Sequence, residues 1–149
     1  MTFPAGAHKE SPLYGCYVAR KSVTFVGGGT GSVGQHTLFT VTGYAQVVIV
    51  AYCSDDLTAG DSPTISVGTA TVTAVDSLQA VTAFDLLNDG LMWTDDNAPS
   101  ECEAETGNRS AFVAADITYD VLVSPITGGT LEWTCFWTPM SANATVVAI

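Results

Sequence analysis

Residues 131–138 read Leu-Glu-Trp-Thr-Cys-Phe-Trp-Thr, and this stretch decides the fold class. Apolar side chains occupy every second position from Leu131 to Trp137, and Glu132 and Thr134 lie between them. Because successive side chains of a β-strand point to opposite faces, this alternation predicts a strand with one face on a hydrophobic core.

Strand patterns recur outward from this stretch at nearly even spacing. The run from Gln46 to Cys53 is almost entirely apolar, which predicts a central strand covered on both faces. Residues 77–87 fit either a strand or a short helix, and Asn88-Asp89-Gly90 predicts a turn. The strand-like segments are 14–20, 22–26, 37–42, 46–53, 64–73, 78–84, 91–94, 111–123, 131–138 and 145–149, which we count as eight or nine short strands.

The composition favours strands throughout. Of 149 residues, 42 are Thr, Val or Ile, whose branched side chains suit a pleated sheet. A hydrophobic fraction of 47% with only 13% charged residues excludes intrinsic disorder. We therefore predict an all-β protein, an antiparallel β-sandwich or jelly roll of about eight strands. Its predicted core includes Phe39, Val41, Val47, Ile49, Ile65, Val67, Val121, Trp133 and Cys135.

The chain organisation predicted is one sandwich domain, residues 14–149, behind an extended N-terminal arm, residues 1–13. The arm has no periodicity and contains Pro4, Gly6 and Pro12. No signal-peptide pattern precedes the domain, so we expect a soluble chain made in a cytoplasm. We expect four free thiols, because the spacing of the cysteines is irregular and the chain is expected to be made in a cytoplasm. They are Cys16, Cys53, Cys102 and Cys135.

The charge distribution excludes several kinds of partner. The net charge is −11, and residues 22–108 contain eleven acidic residues without one Lys or Arg. Phosphate backbones and anionic membrane surfaces repel such a chain, so we expect neither nucleic-acid nor membrane binding. The acidic segment 55–105 is expected to face solvent.

Residues 29–34 read Gly-Thr-Gly-Ser-Val-Gly, which matches a dinucleotide-binding fingerprint. In that site a helix must follow the last glycine, because its N-terminal NH groups hold the pyrophosphate. The sequence after Gly34 is instead β-branched and alternating, and Gly43 closes it. We therefore predict a glycine-rich loop between strands, with no NAD binding and no cofactor.

Groups for catalysis or metal binding are few. His8 and His36 are the two histidines, and neither belongs to a known catalytic motif, so we predict no enzymatic activity. Asp55-Asp56 with Asp61, or Asp95-Asp96 with Asn97, offer oxygen ligands for calcium, although solvated loops fit these acids better. Trp133 and Trp137 are expected in the core, while Trp93 is left open as a sugar-stacking residue.

Several short segments together carry a family resemblance. They are Phe39-Thr-Val-Thr-Gly43, Cys53-Ser-Asp-Asp-Leu-Thr58, Ile65-Ser-Val-Gly-Thr-Ala70, Trp137-Thr-Pro-Met-Ser141 and Ala144-Thr-Val-Val147. Their order resembles small β-rich structural proteins of tailed bacteriophages, of the capsid decoration (head auxiliary or cement) type. The resemblance covers residues 23–149 and implies a non-enzymatic protein on the outer capsid surface, a homotrimer that clamps subunits of the major capsid protein.

The arm and first strand offer the predicted contacts with such partners. Apolar anchors, prolines that lower the ordering entropy and basic side chains that meet acidic partners are grouped there. The candidate contact residues are Phe3, Pro4, Lys9, Leu13, Tyr14, Arg20 and Lys21. The alternative function is that of a ligand-binding sandwich, such as a carbohydrate- or host-receptor-binding domain of a phage head or tail fibre.

Overall fold

The structure is a computed structural model that describes residues 16–71, 76–94, 99 and 110–149. Within these ranges the chain forms ten strands and one short 3-10 turn, Phe84–Leu86. The strands are β1 (Tyr17–Thr24), β2 (Gly34–Thr42), β3 (Ala45–Ala59), β4 (Thr64–Thr69), β5 (Gln79–Ala83), β6 (Met92–Trp93), β7 (Ala111–Val113), β8 (Ile117–Leu122), β9 (Ile126–Pro139) and β10 (Thr145–Ala148).

The strands form two antiparallel sheets packed face to face. Sheet A has the order β1-β9-β3-β6, and β7 pairs with another part of β3. Sheet B has the order β10-β2-β8-β4-β5. Neighbouring strands in both sheets are antiparallel. The predicted all-β antiparallel sandwich is confirmed.

The core lies between the sheets and follows the predicted alternation. The inward side chains of β9, Leu131, Trp133, Cys135 and Trp137, are all buried. Trp133 stacks on Tyr119 of sheet B, with ring centroids 5.4 Å apart. Every predicted core residue is buried except Val41, which is partly buried against the core.

One buried polar residue ties the two sheets together. Gln79 is fully buried on β5; its Oε1 accepts a hydrogen bond from Trp133 Nε1 at 3.0 Å. Its Nε2 donates to the carbonyl oxygen of Trp93 at 2.7 Å. Trp93, the residue left open by the sequence, is 1% exposed and belongs to the core. It is therefore unavailable to stack on a sugar.

Several predicted element boundaries are wrong. The predicted strands 14–20 and 22–26 are the single strand β1, which Arg20 and Lys21 do not interrupt. Strand β3 continues to Ala59, past the predicted end at Cys53, and its pairing with β9 is irregular beyond Cys53. Residues 77–87 combine both expectations, because β5 leads directly into the 3-10 turn.

The predicted strand 111–123 is also wrong in two places. It divides into β7 in sheet A and β8 in sheet B. Val123 does not share the buried face of Ile117, Tyr119 and Val121; it has a φ of 75° and is 78% exposed. It lies in the turn to β9, where alternation no longer decides the direction of a side chain.

Candidate protein-contact surface

Two of the seven predicted contact residues lie in the described structure. Arg20 and Lys21 are adjacent on β1, whereas Phe3, Pro4, Lys9, Leu13 and Tyr14 lie outside the described residues. The predicted arm lies there too. The contact surface is therefore built from β1 and the strands beside it.

Arg20 and Lys21 point to opposite faces of sheet A, because they are neighbours on one strand. Lys21 pairs in register with the inward Trp133, and its Nζ donates a hydrogen bond to the carbonyl oxygen of Ile149. Arg20 pairs with Thr134 on the outer face and is exposed. Only Arg20 of the two is directed to a partner on that face.

The outer face of sheet A is unusually apolar for a face with exposed side chains. Beside Arg20 it carries Val48, Val50 and Tyr52 of β3, where the sequence predicted a strand covered on both sides. Tyr52 is 42% exposed and Val50 is half-buried, whereas Val48 is 7% exposed, so the outer face of β3 is covered only in part. We call this surface the apolar face: Val18, Arg20, Ser22, Tyr44, Gln46, Val48, Val50, Tyr52, Met92, Phe112, Glu132, Thr134, Phe136 and Thr138.

Register places these side chains in rows across the sheet. Val18, Phe136 and Val48 form one row, and Ser22, Glu132, Tyr52 and Met92 form another. Between Arg20, Tyr52 and Glu132 the surface has a shallow groove of about 190 Å³. Tyr52 forms one wall of the groove, and the two charged residues lie on β1 and β9.

The two charges on the apolar face do not pair with each other. Arg20 is opposite Thr134, whereas Glu132 is opposite Ser22, so they are diagonal neighbours on adjacent strands. Diagonal positions in a sheet lie roughly 7–8 Å apart, which long side chains span only when they point towards each other. No ion pair joins Arg20 to Glu132 in the described structure, and both side chains are exposed.

An aromatic pair marks one end of the apolar face. Tyr44 and Phe112 stack with ring centroids 5.9 Å apart and an interplanar angle of 18°. Their side chains are 43% and 58% exposed, and Met140 beside them is 48% exposed. The backbone of Met140 donates to the carbonyl oxygen of Tyr44 at 2.8 Å. Strand β1 starts at this same end of the sheet, opposite Trp137.

The outer face of sheet B is chemically different. By register its outward positions hold hydroxyl and carboxyl side chains, including Thr37, Ser66, Thr118 and Asp120, of which the last three are buried. Burial raises the pKa of the Asp120 carboxyl, and the charge of His36 acts in the opposite direction. A sandwich with one polar and one apolar outer face has a natural side for contact with another protein.

Most of the described acidic residues lie outside the apolar face, although Asp55 pairs with Thr130 in the next row of the same outer surface. Six of them, Asp55, Asp56, Asp61, Asp76, Asp85 and Asp89, are exposed, as predicted for the part of the acidic segment that the structure describes. Asp56 Oδ1 accepts a hydrogen bond from the backbone of Asp89 at 2.6 Å, which fixes the turn at 88–90. The described residues include nine acids and two basic residues, of which the apolar face holds one of each.

The described part of the chain contains one serine–histidine pair, and its geometry does not suit nucleophilic catalysis. Ser32 Oγ lies 3.4 Å from His36 Nε2, but it donates to the carbonyl oxygen of Gly29 at 2.7 Å. His36 Nε2 lies 2.8 Å from the Ser32 carbonyl oxygen, which only a protonated Nε2 can contact favourably. A nitrogen that carries a proton is unable to take one from serine.

The glycine motif forms a loop, as predicted. Gly31 donates to the carbonyl oxygen of Val26, and Ile126 donates to the carbonyl oxygen of Gly31. A Cβ on Gly31 would lie 1.8 Å from Ile126 O, so the close backbone approach requires glycine. The segment from Gly34 is strand β2 and not a helix. No helix terminus therefore follows the motif to hold a pyrophosphate.

The three cysteines in the described residues are buried. They are Cys16, Cys53 and Cys135, and Cys102 lies outside the described residues. Burial raises the pKa of the Cys53 thiol to about 11, and burial also raises the pKa of Cys135. These thiols are poor nucleophiles because the reactive form is the thiolate.

The described ranges contain neither a cluster of metal ligands nor a membrane-spanning helix. There, no three His, Cys, Asp or Glu side chains are grouped as metal ligands. Asp55, Asp56 and Asp61 are part of this finding, whereas Asp95, Asp96 and Asn97 lie outside it. The same ranges contain no helix of the length and hydropathy needed to cross a bilayer.

The fold is similar to that of a virus capsid component. Over 90% of this chain and 94% of the other, it matches a chain of the acidic stable capsid structure of Helicobacter pylori bacteriophage KHP30. The TM-score is 0.56 and the sequence identity is 12%. At this identity the likeness is one of fold. No protein-family model matches the chain, and no curated protein matches it.

Sequence reasoning missed the aromatic and aliphatic members of the apolar face. Tyr44, Tyr52 and Phe112 were not among the predicted contact residues. Their signal was present in β3, whose outward positions are apolar where a solvated strand has polar residues. That pattern was interpreted as a covered face, because a sequence does not distinguish cover by its own chain from cover by a partner.

Proposed function

We propose that this protein is a non-enzymatic structural protein of a tailed-phage virion, which binds the outer surface of the capsid and stabilises its lattice. The observation that carries the proposal is the fold shared over 90% of this chain and 94% of a phage capsid chain. The segments that resemble capsid decoration proteins support the same function independently of that comparison. The partner is the major capsid protein.

The charge pattern and the apolar face fit this function. A protein that coats a particle needs one face for contact and an exterior that keeps particles apart. The exposed acids at 55–61 and 85–89 supply negative charge, and the apolar face carries no net charge. In this proposal residues 1–13 bind a neighbouring capsid subunit through Phe3, Pro4 and Lys9, and Leu13 and Tyr14 extend that contact. Arg20 and Lys21 of β1 serve contacts with a partner beside the arm, which includes another copy of this chain.

A truncation tests this anchor. We expect a chain without residues 2–13 to keep its far-UV dichroism, because the described core begins at Cys16. Mixed with undecorated capsids of the virus that encodes it, the full chain should sediment with them and the truncated chain should not. Equal sedimentation of both chains would show that the arm is not the anchor. Failure of both to sediment would contradict the capsid-binding function.

Self-association is part of the proposed function. A standard stable interface buries about 1,600 Å² in total, and a chain of 15.5 kDa reaches that area most readily by combining several contacts. The family resemblance implies a homotrimer. Sedimentation equilibrium of the full chain measures the stoichiometry, and a monomer on the capsid as well as in solution would contradict this part of the proposal.

The exposed pair Tyr44 and Phe112 supports one alternative, a carbohydrate-binding sandwich. Aromatic rings at a surface present apolar planes on which sugar rings stack. The test is binding of host cell-surface glycans by the wild type and by Phe112→Ala. Saturable binding that the substitution removes would favour this alternative, whereas capsid binding without glycan binding would contradict it.

A further inference from the structure

We infer that the apolar face is the contact between two copies of this chain, which meet around a two-fold axis with sheet A against sheet A. This deepens the self-association in the proposed function, and it rests on that function only for the need to self-associate.

The charge balance selects this face for contact between identical chains. The described residues have a net charge of −7, from two basic and nine acidic side chains. The apolar face contributes Arg20 and Glu132, a net charge of zero, so the rest of the described surface has the whole of the −7. Two such chains repel each other in every orientation that brings their acidic surfaces together. The neutral face is where an identical copy approaches with least repulsion.

Arg20 and Glu132 also make the face self-complementary. In a two-fold contact, residue i of one copy meets residue j of the other, and residue j meets residue i. Arg20 and Glu132 are exposed, of opposite sign and on adjacent strands, and neither has an ion-pair partner among the described residues. A two-fold axis between them places Arg20 of each copy against Glu132 of the other. The groove beside Tyr52 is then closed by the second copy.

The area is sufficient for a reversible contact. From Tyr44 to Tyr52 the face is nine residues long, about 30 Å at the usual rise of a strand, and four strands give about 19 Å of width. A footprint of this order on both copies totals about 1,000 Å², the lower limit for a specific interface. We therefore expect a reversible pairing in the micromolar range and not an obligate dimer.

The two-fold contact is compatible with a trimer built elsewhere on the molecule. If the chain forms trimers, the apolar face of each subunit joins it to a neighbouring trimer. Without trimers the pairing gives a dimer, and with trimers it gives a pair of trimers. The species in solution therefore contains an even number of chains in both cases. A stoichiometry of one or three at about 500 µM, well above the expected micromolar range, would overturn the inference.

Charge reversal distinguishes this contact from general stickiness. By analytical ultracentrifugation of the full chain, we expect Arg20→Glu and Glu132→Arg each to weaken pairing at least tenfold. The double variant Arg20→Glu/Glu132→Arg should recover to within about threefold of the wild type, because it restores opposite charges across the axis. Mixing the two single variants should also recover pairing, because each of the two cross-contacts of the mixed pair then brings opposite charges together. Single variants without effect would overturn the inference.

A matched pair of apolar positions completes the test. Tyr52→Glu places a charge on the apolar face, and Val147→Glu places one at an exposed position on the edge strand of sheet B. We expect the first to abolish pairing and the second to leave it within about threefold. Equal effects would overturn the inference. Sedimentation of Tyr52→Glu with capsids separates the two proposals. If the variant still binds capsids, the capsid-binding function stands whether or not the copies pair. If the variant loses pairing in the absence of capsids, that result concerns the two-fold contact alone.

Discussion

Val123 has a backbone conformation that valine rarely adopts. Its φ is 75°, and the backbone of Ser124 donates to the carbonyl oxygen of Leu122 at 3.0 Å across it, which closes a γ-turn. This turn with positive φ is strained, and a left-handed conformation costs a residue with a Cβ about 1–2 kcal/mol. The side chain is 78% exposed, so packing in the described structure does not offset the strain.

Replacement of Val123 by glycine should therefore stabilise the fold. Glycine removes the steric cost but loses about 0.5–1 kcal/mol of backbone entropy, so we expect a net gain of up to ~1 kcal/mol in the free energy of unfolding. Urea denaturation followed by tryptophan fluorescence measures it. The control is Val147→Gly on β10, another exposed valine but with ordinary φ, which should lose ~1 kcal/mol. A loss at both positions would contradict the strain.

Asp120 should make stability depend on pH in the direction opposite to a salt-bridged carboxylate. Burial raises its pKa above the ordinary 3.8, so the folded chain binds this proton more tightly than the unfolded chain. The cost of burying the charge is fully present above the folded pKa and disappears as the pH falls below the unfolded value.

The variant Asp120→Asn isolates this effect. We expect it to unfold at higher urea concentration than the wild type at pH 7, because the buried charge is gone. The difference should shrink as the pH is lowered towards 3, where the wild-type carboxyl is also neutral. The exposed Asp85→Asn is the control and should change the midpoint little at any pH. A difference that grows in acid would contradict the direction of the pKa shift.

The buried cysteines predict how the folded chain reacts with thiol reagents. Cys102→Ala removes the one cysteine outside the described residues, so that Cys16, Cys53 and Cys135 remain. At pH 8 the Cys53 thiol, with a pKa of about 11, is almost wholly protonated, and all three thiols are buried from the reagent, so we expect no rapid labelling of the native variant. In denaturant all three should react. Fewer than three reactive thiols would reveal a disulfide and contradict the predicted free thiols.

At the scale of elements, the loop between β1 and β2 explains why its glycines need not bind a nucleotide. Gly31 lies against the backbone of Ile126, and a Cβ there would overlap it. Gly28 in the same loop has no heavy atom within 4 Å of its Cβ position. Two glycines of the same loop, one inside the motif and one just before it, thus differ completely in what they permit.

Alanine substitutions at these two positions should separate the roles. Gly31→Ala forces the loop away from β9, and we expect a loss of about 2–3 kcal/mol, typical of overpacking. Gly28→Ala should change stability by less than ~0.5 kcal/mol, as ordinary surface substitutions do. Thermal unfolding of both variants measures the difference. A similar loss in both would mean that the motif is not a packing device.

The elements also show what a sequence determines and where it stops. Alternation identified the inner face of β9 and β3 residue by residue, because burial between two sheets leaves a period of two. It failed at Val123 and at Asp55, where turn geometry and irregular pairing with β9 decide the direction of the chain. Arg20 was predicted as a contact residue from its charge, whereas Tyr44 and Phe112 meet only through the pairing of β3 with β7, which no local pattern reveals.

At the scale of the whole molecule, the net charge of −11 disfavours the pairing of two copies, whereas the neutral apolar face favours it. Two sandwiches stacked sheet to sheet have centres about 20 Å apart, since packed sheets lie ~10 Å from each other. The Debye length is roughly 30 Å at 0.01 M salt and 10 Å at 0.1 M, so the repulsion between the chains is felt at the first concentration and largely screened at the second.

Salt should therefore strengthen the pairing of copies. Exposed ion pairs such as those between Arg20 and Glu132 contribute only ~0.2–1 kcal/mol each, and their screening is the smaller effect. The repulsion between two chains of −11 at ~20 Å amounts to about 25 kcal/mol when unscreened in water, so its loss dominates. We expect pairing at least tenfold tighter at 0.1 M than at 0.01 M sodium chloride, measured by sedimentation equilibrium.

The variant Asp85→Asn/Asp89→Asn, with two charges fewer and an unaltered apolar face, should pair more tightly than the wild type at 0.01 M and equally at 0.1 M. Pairing that weakens with salt would contradict this balance and show that ion pairs, not the neutrality of the face, hold the copies together.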